Sequence, residues 1–541
     1  MKRFASGSAL LVCLLLAPTA AFAQASIVGA VKDTSGAVLP GVTVEAASPA
    51  LIEKVRTAVT DGTGRYRIEN LQPGPYTVTF TLPGFSIVKR DGIELTGSFV
   101  ATVNGELRVG TLEETITVTG ETPIVDVQST ARQRVLDKQV LDALPAGRTM
   151  AALGGLTPGV TASNQDVGGQ LGDGVSAGGL RVRGVGDSRM LMGGVTTNTS
   201  YRVLTGAYNL AAYQEVVVDT GGIGAEQEEG GVRVNIIPRD GGNTFSGTSF
   251  FAFANKSTAG HNLTQSLKDR GLRVPDSLKQ ILDINPGFGG PIKRDKIWFN
   301  GAVRYARAWN YVPTFFNKNA GNPNMWTYEP DLARGAASNE GTIRNFTGRL
   351  TWQATQKHKF GFTYDPSYSC ECPRQLTARF SPEANAINYV ITYPNRNLVA
   401  QWTAPVTSRI LLESSLVSRH STAARAIASN GKATSLPRDG GVVDAVNPYF
   451  SGSPVPLVLV LEQSTGFSYR GGPNARISTN NLLYWRSAAS YITGTHAFKV
   501  GAILGRVPND DYTFTLDSPM EFRFNNGVPN RITLKPRRSA R

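Results

Sequence analysis

Across the second half of the chain, apolar and polar residues change places at every step. Phe346, Gly348, Leu350 and Trp352 alternate with Asn345, Thr347, Arg349, Thr351 and Gln353. Ile297, Phe299, Val303 and Tyr305 alternate with Asn300, Ala302 and Arg304, and Phe360, Phe362 and Tyr364 with Lys359, Gly361 and Thr363. Phe498, Val500, Ala502 and Leu504 alternate with Lys499, Gly501 and Ile503. A period of two sends successive side chains to opposite faces of a strand, so each run predicts a strand with one apolar and one polar face. Short turns separate these runs at Lys293–Lys296, Thr355–Lys357, Pro405–Thr407 and Thr493–Thr495. The other connections are long and polar, over 255–284, 310–341, 366–395 and 421–478.

Residues 26 to 103 show the same alternation in shorter pieces. Val42–Val44, Tyr66–Ile68 and Tyr76–Phe80 are separated by turn-forming strings at Asp33–Gly36, Leu39–Gly41, Asp61–Gly64 and Gln72–Pro75. Short strands at regular spacing predict a β-sandwich. From 112 to 243 the pattern changes again. Glu113 and Glu114 open a β-run, Thr115-Ile116-Thr117-Val118-Thr119, and a glycine-crowded stretch follows between Gly168 and Gly186. No G-x-x-x-x-G-K-[ST] or G-x-G-x-x-G string is present, so phosphate-cradling loops are not the reading.

Composition narrows the class. With 58 Gly and 30 Pro in 541 residues and 18% charged residues, the chain favours short strands and turns over helices. The formal net charge is +14, but the cations are scattered, and no basic patch precedes the last residues. That scatter argues against nucleic acid. The N-terminus has Lys2 and Arg3 before the apolar run Ala9–Leu16, then Ala21-Phe22-Ala23 before Gln24. This is the pattern of a secretory signal peptide over 1–23, cleaved between Ala23 and Gln24, and the apolar run is too short to span a bilayer. Cys13 lies inside that run, leaving Cys370 and Cys372. A tight disulfide between these two, or a pair of free thiols, is expected. Two sulfurs are too few for zinc, and the four histidines form no H-E-x-x-H pair. No catalytic constellation or cofactor motif stands out, so no cofactor is expected and the chain reads as a non-enzyme.

Two resemblances give these pieces names. The string GAVKDTSGAVLPGVTVEA, with TAVTDGTGRYRIENLQPGPYTVTFTLPGF after it, resembles the carboxypeptidase-regulatory-like domain, an Ig-like sandwich also classed with carbohydrate-binding-like folds. Farther on, DALPAGRTMAALGGLTPGV (142–160), GLRVRGVGDSRMLMGGVTTN (179–198) and YQEVVVDTGGIGAEQEEGGVRVNIIPRDGGNTFSG (213–247) resemble, in family order, the plug of TonB-dependent outer-membrane transporters of the Oar-like and SusC-like branches. The first string looks like an early helix and turn, the second like a central strand pair, and the third like the step into the barrel. Gly193 stands where the family usually has an acidic residue. The resemblance makes Glu114, Thr115, Ile116, Thr117, Val118 and Thr119 a candidate TonB box, which adds to a partner's sheet edge. An ordinary first strand of the plug is the alternative.

The resulting expectation is a mainly β chain. A signal peptide (1–23) precedes an Ig-like β-sandwich (24–104), an α+β plug carrying the TonB-box candidate (105–243), and part of an antiparallel transmembrane β-barrel (244–541). Short turns on one side and long loops on the other match the periplasmic and extracellular ends of such barrels. Trp298, Trp309, Trp352, Trp402 and Trp485 suit interfacial belts. About nine or ten strands are legible, against about 22 in plugged transporters, so the barrel reads as truncated. The resemblance implies energy-coupled uptake of a bulky ligand (oligosaccharide, peptide or metal chelate) across the outer membrane of a Gram-negative-type bacterium. The implied partners are TonB with its inner-membrane energising complex, outer-membrane lipid, an extracellular ligand that includes carbohydrate among the candidates, and a surface lipoprotein. The alternatives are a non-transporting surface or carbohydrate-binding protein and a non-functional fragment.

Overall fold

The computed structural model describes residues between 25 and 534, with interruptions of which the longest are 120–131, 144–152, 163–175, 222–230 and 434–457. The first body is a sandwich. One of its sheets places β1 (Ala25–Asp33) between β4 (Arg65–Leu71) and two short strands, β7 (Val100–Thr102) and β8 (Gly105–Leu107). The other runs β3-β2-β5-β6-β9, with β2 at Thr43–Ala47, β3 at Val55–Val59, β5 at Gly74–Thr81, β6 at Ile87–Leu95 and β9 at Thr115–Thr119. The alternating apolar residues meet between the sheets: Ile27, Val44, Tyr76, Val78, Phe80 and Leu107 are all fully buried there. The Tyr66 hydroxyl closes that core by donating to the Val103 carbonyl at 2.6 Å. The sandwich therefore runs past the expected boundary at 104, because Leu107 is one of its core residues and β8 pairs with β1.

The second body is the plug. Its five-stranded sheet has the order β10-β17-β18-β14-β15. The ranges are β10 Arg132–Asp137, β14 Ser188–Met192, β15 Val195–Thr196, β17 Tyr213–Gly221 and β18 Val232–Pro238. Two small pairs join it, β11 (Val160–Ala162) with β13 (Leu180–Val182) and β12 (Ser176–Ala177) with β16 (Leu204–Thr205). A short helix, α1 (Lys138–Ala143), opens just before the stretch 142–160, capped where the Asp137 carboxylate accepts the Val140 amide; within that stretch Leu153 is helical, and 144–152 lie outside the described residues. Val216, Val218, Val232, Val234 and Ile236 form the plug's core with Met190 and Met192.

The third body is one large antiparallel sheet, β19-β20-β21-β22-β23-β24-β25-β29-β30, with β26 (Lys432–Ala433) and β31 (Asn509–Phe514) attached to it. Its strands are β19 Ser246–Asn255, β20 Ser277–Lys293, β21 Ile297–Phe315, β22 Ala336–Gln353, β23 Lys359–Glu371, β24 Ile387–Pro405, β25 Ile410–Ser429, β29 Ala475–Thr493 and β30 His496–Arg506. A short helix, α2 (Gln265–Asp269), lies in the β19–β20 connection. The strands reach well into stretches that the sequence suggested were loops. Ser277–Ile284, Asn310–Phe315 and Ala336–Gly341 are all strand, because a hydrogen-bonded ladder in water needs no apolar alternation. The four short connections fall where expected, between Lys293 and Ile297, Gln353 and Lys359, Pro405 and Ile410, and Thr493 and His496.

Beyond the long-loop ends a separate small sheet, β28-β27-β32-β33, joins β27 (Leu459–Glu462) and β28 (Phe467–Arg470) to β32 (Met520–Asn525) and β33 (Val528–Leu534). It packs Val460, Tyr469 and Phe524 against Trp326 and Tyr328 of the β21–β22 connection. Arg470 ties the two together, donating to the Met325 carbonyl at 2.6 Å and the Asn322 carbonyl at 2.9 Å.

Candidate functional site: the plug hairpin against the wall

Register turns the alternation into two rows that cross the wall. Phe299, Leu350, Phe362, Ala400, Leu416, Trp485 and Leu504 are successive cross-strand neighbours from β21 to β30. One residue along, Asn300, Arg349, Thr363, Val399, Val417 and Tyr484 are neighbours in the same way. The first row belongs to the outward face, where Phe362 is 41% and Leu504 63% exposed. The second is turned inward, and Thr363, Val399 and Val417 are fully buried. Polar groups on the same inner face bond each other, as where Asp365 accepts from Asn345, Thr347 and Asn397, and Arg304 meets Asp283 at 2.7 Å. Large apolar side chains outside and paired polar ones inside reverse the order of a water-soluble domain.

The plug covers the inner face and shares its core with it. Val399, Val417 and Leu482 of the wall belong to the same buried cluster as Met190, Met192 and Val195. The tip of the β14–β15 hairpin is Gly193-Gly194, both at positive φ (58° and 83°), as a two-residue hairpin of the primed type requires. Three wall side chains hold this tip by its carbonyls. Gln401 donates to Gly193 O at 3.2 Å, Arg486 to Gly194 O at 3.2 Å and Arg419 to Thr197 O at 2.6 Å. A Cβ at 193 would meet the Gln401 side-chain amide, so any larger residue there requires that flexible side chain to move.

From Gln401 the bonding continues to the end of the plug. Arg349 Nη1 donates to Gln401 Oε1 at 3.1 Å, and its Nε to Asp240 Oδ1 at 2.6 Å. Lys359 reaches the other Asp240 oxygen at 2.8 Å, and the Thr351 hydroxyl donates to Oδ1 at 2.9 Å. Asp240 lies in the linker after β18. Burial pushes its carboxyl up, but Lys359 and Arg349 outweigh that and hold it well below the ordinary carboxylate range. A few residues on, Asn243 accepts from the Trp298 indole at 2.8 Å and from the Asp295 amide at 2.9 Å. Trp298 is therefore turned inward against the linker rather than outward to lipid, correcting its place among the interfacial tryptophans. Gln401, Arg419, Arg486 and Asp240 were not singled out from sequence, where they look like any other polar position on an alternating strand.

The singled-out residues lie elsewhere. Thr115–Thr119 form β9, which pairs in parallel with β6 of the sandwich. The first strand of the plug sheet is instead β10. Glu114, Ala23, Gln24 and Cys372 lie outside the described residues. Cys370, on β23, is disulfide-bonded. Among the described residues no group of three His, Cys, Asp or Glu side chains is placed to hold a metal ion.

A β-wall that is apolar on one face, polar on the other and covered on the polar face by a separately folded domain has the two-solvent character of a plugged outer-membrane barrel and places this chain in the outer membrane. Among the described residues the end strands β19 and β30 are not paired with each other, so the sheet is open. Comparison with known proteins refines the class. Residues 26–108 match the carboxypeptidase regulatory-like domain family and residues 304–536 the outer membrane beta barrel domain family. The chain is 32% identical over 301 residues to the TonB-dependent transporter Oar of Myxococcus xanthus, a match covering 53% of this chain and 27% of that protein. It is thus a homologue of a TonB-dependent transporter, spanning about a quarter of its curated relative's length. Solved structures similar to it include the outer membrane transporter YddB from Escherichia coli (11% identity, TM-score 0.47, 74% of this chain and 51% of that one). Another is the ferric yersiniabactin uptake receptor FyuA from Yersinia pestis (12% identity, TM-score 0.42, 74% and 50%).

Proposed function

We propose that the chain acts in energy-coupled uptake. A bulky ligand (an oligosaccharide, a peptide or a metal chelate) is caught at the long-loop end, and the periplasmic protein TonB pulls on Thr115–Thr119 to move the plug. The observation that carries this reading is the hairpin grip. The plug is attached by hydrogen bonds from Gln401, Arg419 and Arg486 to backbone carbonyls, contacts that can break and re-form without unfolding the wall. Beside these bonds the plug meets the wall over an apolar patch around Val399, Val417 and Leu482. No covalent step is needed, and outer-membrane lipid covers the Phe299–Leu504 row.

The test is deletion of 115–119 in cells producing the protein, followed by separate measurement of ligand accumulation and of surface binding. Accumulation should fall to background while binding at the surface is retained. Equal accumulation with and without the segment would refute the coupling.

A further inference from the structure

The candidate coupling segment is paired to the sandwich. β9 runs parallel to β6 in continuous register, Ile87 with Thr115, Val88 with Ile116, Lys89 with Thr117, Arg90 with Val118 and Asp91 with Thr119. The sandwich core fixes β6 from behind through Val88, Ile93 and Leu95. The chain entering β9 is pinned to the same edge: the Ser86 amide donates to Arg108 O at 2.9 Å, the Gly110 amide to Gly84 O at 3.2 Å, and Phe85 bridges to Val109. The fit at Gly110 is close, since a Cβ there would collide with the Ser86 hydroxyl. Two independent attachments therefore bring the segment to one sheet edge.

Chain lengths say what this does to an applied pull. Only residues 111–114 separate the pinned Gly110 from Thr115, a connector of about 15 Å when taut. Residues 120–131 separate Thr119 from the first plug strand, about 40 Å when taut. While β9 stays on β6, a pull on 115–119 is carried by the β6–β9 ladder and by the short connector to the pinned Gly110. The sandwich thus stands between the pulling partner and the plug.

We propose that the sandwich gates energy coupling: its β6 edge holds Thr115–Thr119 as a removable fifth strand, which the periplasmic partner must take over from β6 before tension can reach the plug. This inference rests on the coupling role proposed above for the same segment. It adds that apparent affinity for the partner is reduced by the fraction of chains in which the strand is released. With several backbone hydrogen bonds to break, that reduction is roughly tenfold or more.

The experiment uses the full chain in detergent, with Lys89→Cys and Thr117→Cys introduced together and joined by a short bismaleimide. Two quantities are read: hydrogen exchange of the 115–119 amides, and binding of the purified TonB C-terminal domain before and after joining. Slow exchange of these amides in the unmodified chain, together with at least roughly tenfold weaker binding once the strands are joined, is the expected result. Fast exchange at 115–119 overturns the clamp regardless of binding. Equal binding by joined and unjoined forms overturns the gate and shows that the partner adds to the outer edge of β9 instead. Absence of binding by every form, with the amides still protected, removes the coupling role itself and the gate with it; the surviving protection tells that failure from the first.

Discussion

Removing the Asp240 charge should loosen the plug from the wall by a calculable amount. The carboxylate is shared by Arg349 at 2.6 Å and Lys359 at 2.8 Å, whose side chains are 10% and 19% exposed. Asp240→Asn leaves both cations without a counter-charge. Breaking a fully buried ion pair in this way costs about 3–5 kcal/mol, and the partial exposure here brings the figure down to about 2–3 kcal/mol. Converted at 1.36 kcal/mol per factor of ten, local opening becomes roughly 30 to 150 times more frequent. Amide hydrogen exchange at Val232–Ile237 and Gly193 reports that opening directly. Gly193 is included because its amide bonds Ile236 O and its carbonyl ends the chain of bonds that begins at Asp240. Adding Lys359→Met removes one stranded cation and should recover about half of the loss. The sign with pH is fixed by the lowered carboxyl. Its contribution is complete above the unfolded value of about 3.9 and is lost as pH falls towards the lower folded value, and Asp240→Asn should abolish that dependence. Exchange rates within twofold of the unmodified protein would refute the reasoning, as would a double variant looser than the single one.

Three further outcomes follow from other parts of the molecule. Glu383, fully buried in the β23–β24 connection, is pushed up to about 7 by burial, only partly offset by Ser381, the Asn317 amide and Arg334. Because the folded form then binds the extra proton between about pH 4.5 and 7, the outer loops should lose about 3 kcal/mol as pH rises through that window. Protease cleavage in 324–335 should accelerate from pH 5 to pH 8 and become pH-independent in Glu383→Gln; a flat profile in the unmodified protein would contradict this. Leu350→Arg places a cation on the lipid face and should cost about 2–4 kcal/mol in urea unfolding from vesicles, while Val528→Arg, on an exposed strand of the outer sheet, should change stability by under about 0.5 kcal/mol. Gly193→Asp should destabilise the hairpin by about 1–2 kcal/mol through its positive φ alone, with more from Gln401, measured by thermal release of the plug. Gln401→Ala should relieve only the part due to collision.

The wall was legible because its two faces meet different solvents, and a requirement repeated at every second residue leaves a strong trace. Phe346 and Leu350 outside, Asn345 and Thr347 inside, follow from period two alone. What was not legible is where separately readable strands meet. Thr115–Thr119 has five β-branched residues and fits almost any open sheet edge, so nothing in it names β6 as its neighbour. The parallel pairing of β27 with β32 joins strands about sixty residues apart, and no turn signal records such a contact. Trp298 illustrates a third limit. Strand phase placed it on the polar face with Asn300, but the general habit of tryptophans at strand ends suggested lipid, and the bond to Asn243 decides for the interior.

The length of the wall strands has a consequence of its own. Strands of 18 to 20 residues, such as β22, β24 and β25, are about twice what a bilayer crossing needs. At about 3.4 Å per residue and a tilt near 45°, they stand about 45 Å tall, against an apolar band of about 25 Å. The rim is therefore lifted about 20 Å beyond the apolar band and, past a headgroup layer of roughly 5–7 Å, about 13–15 Å above the headgroups, between one and two screening lengths at physiological salt. A charged solute arriving there is met by the protein's own field and is largely insulated from that of the surrounding leaflet, so its capture should vary little with the charge of the lipids beneath.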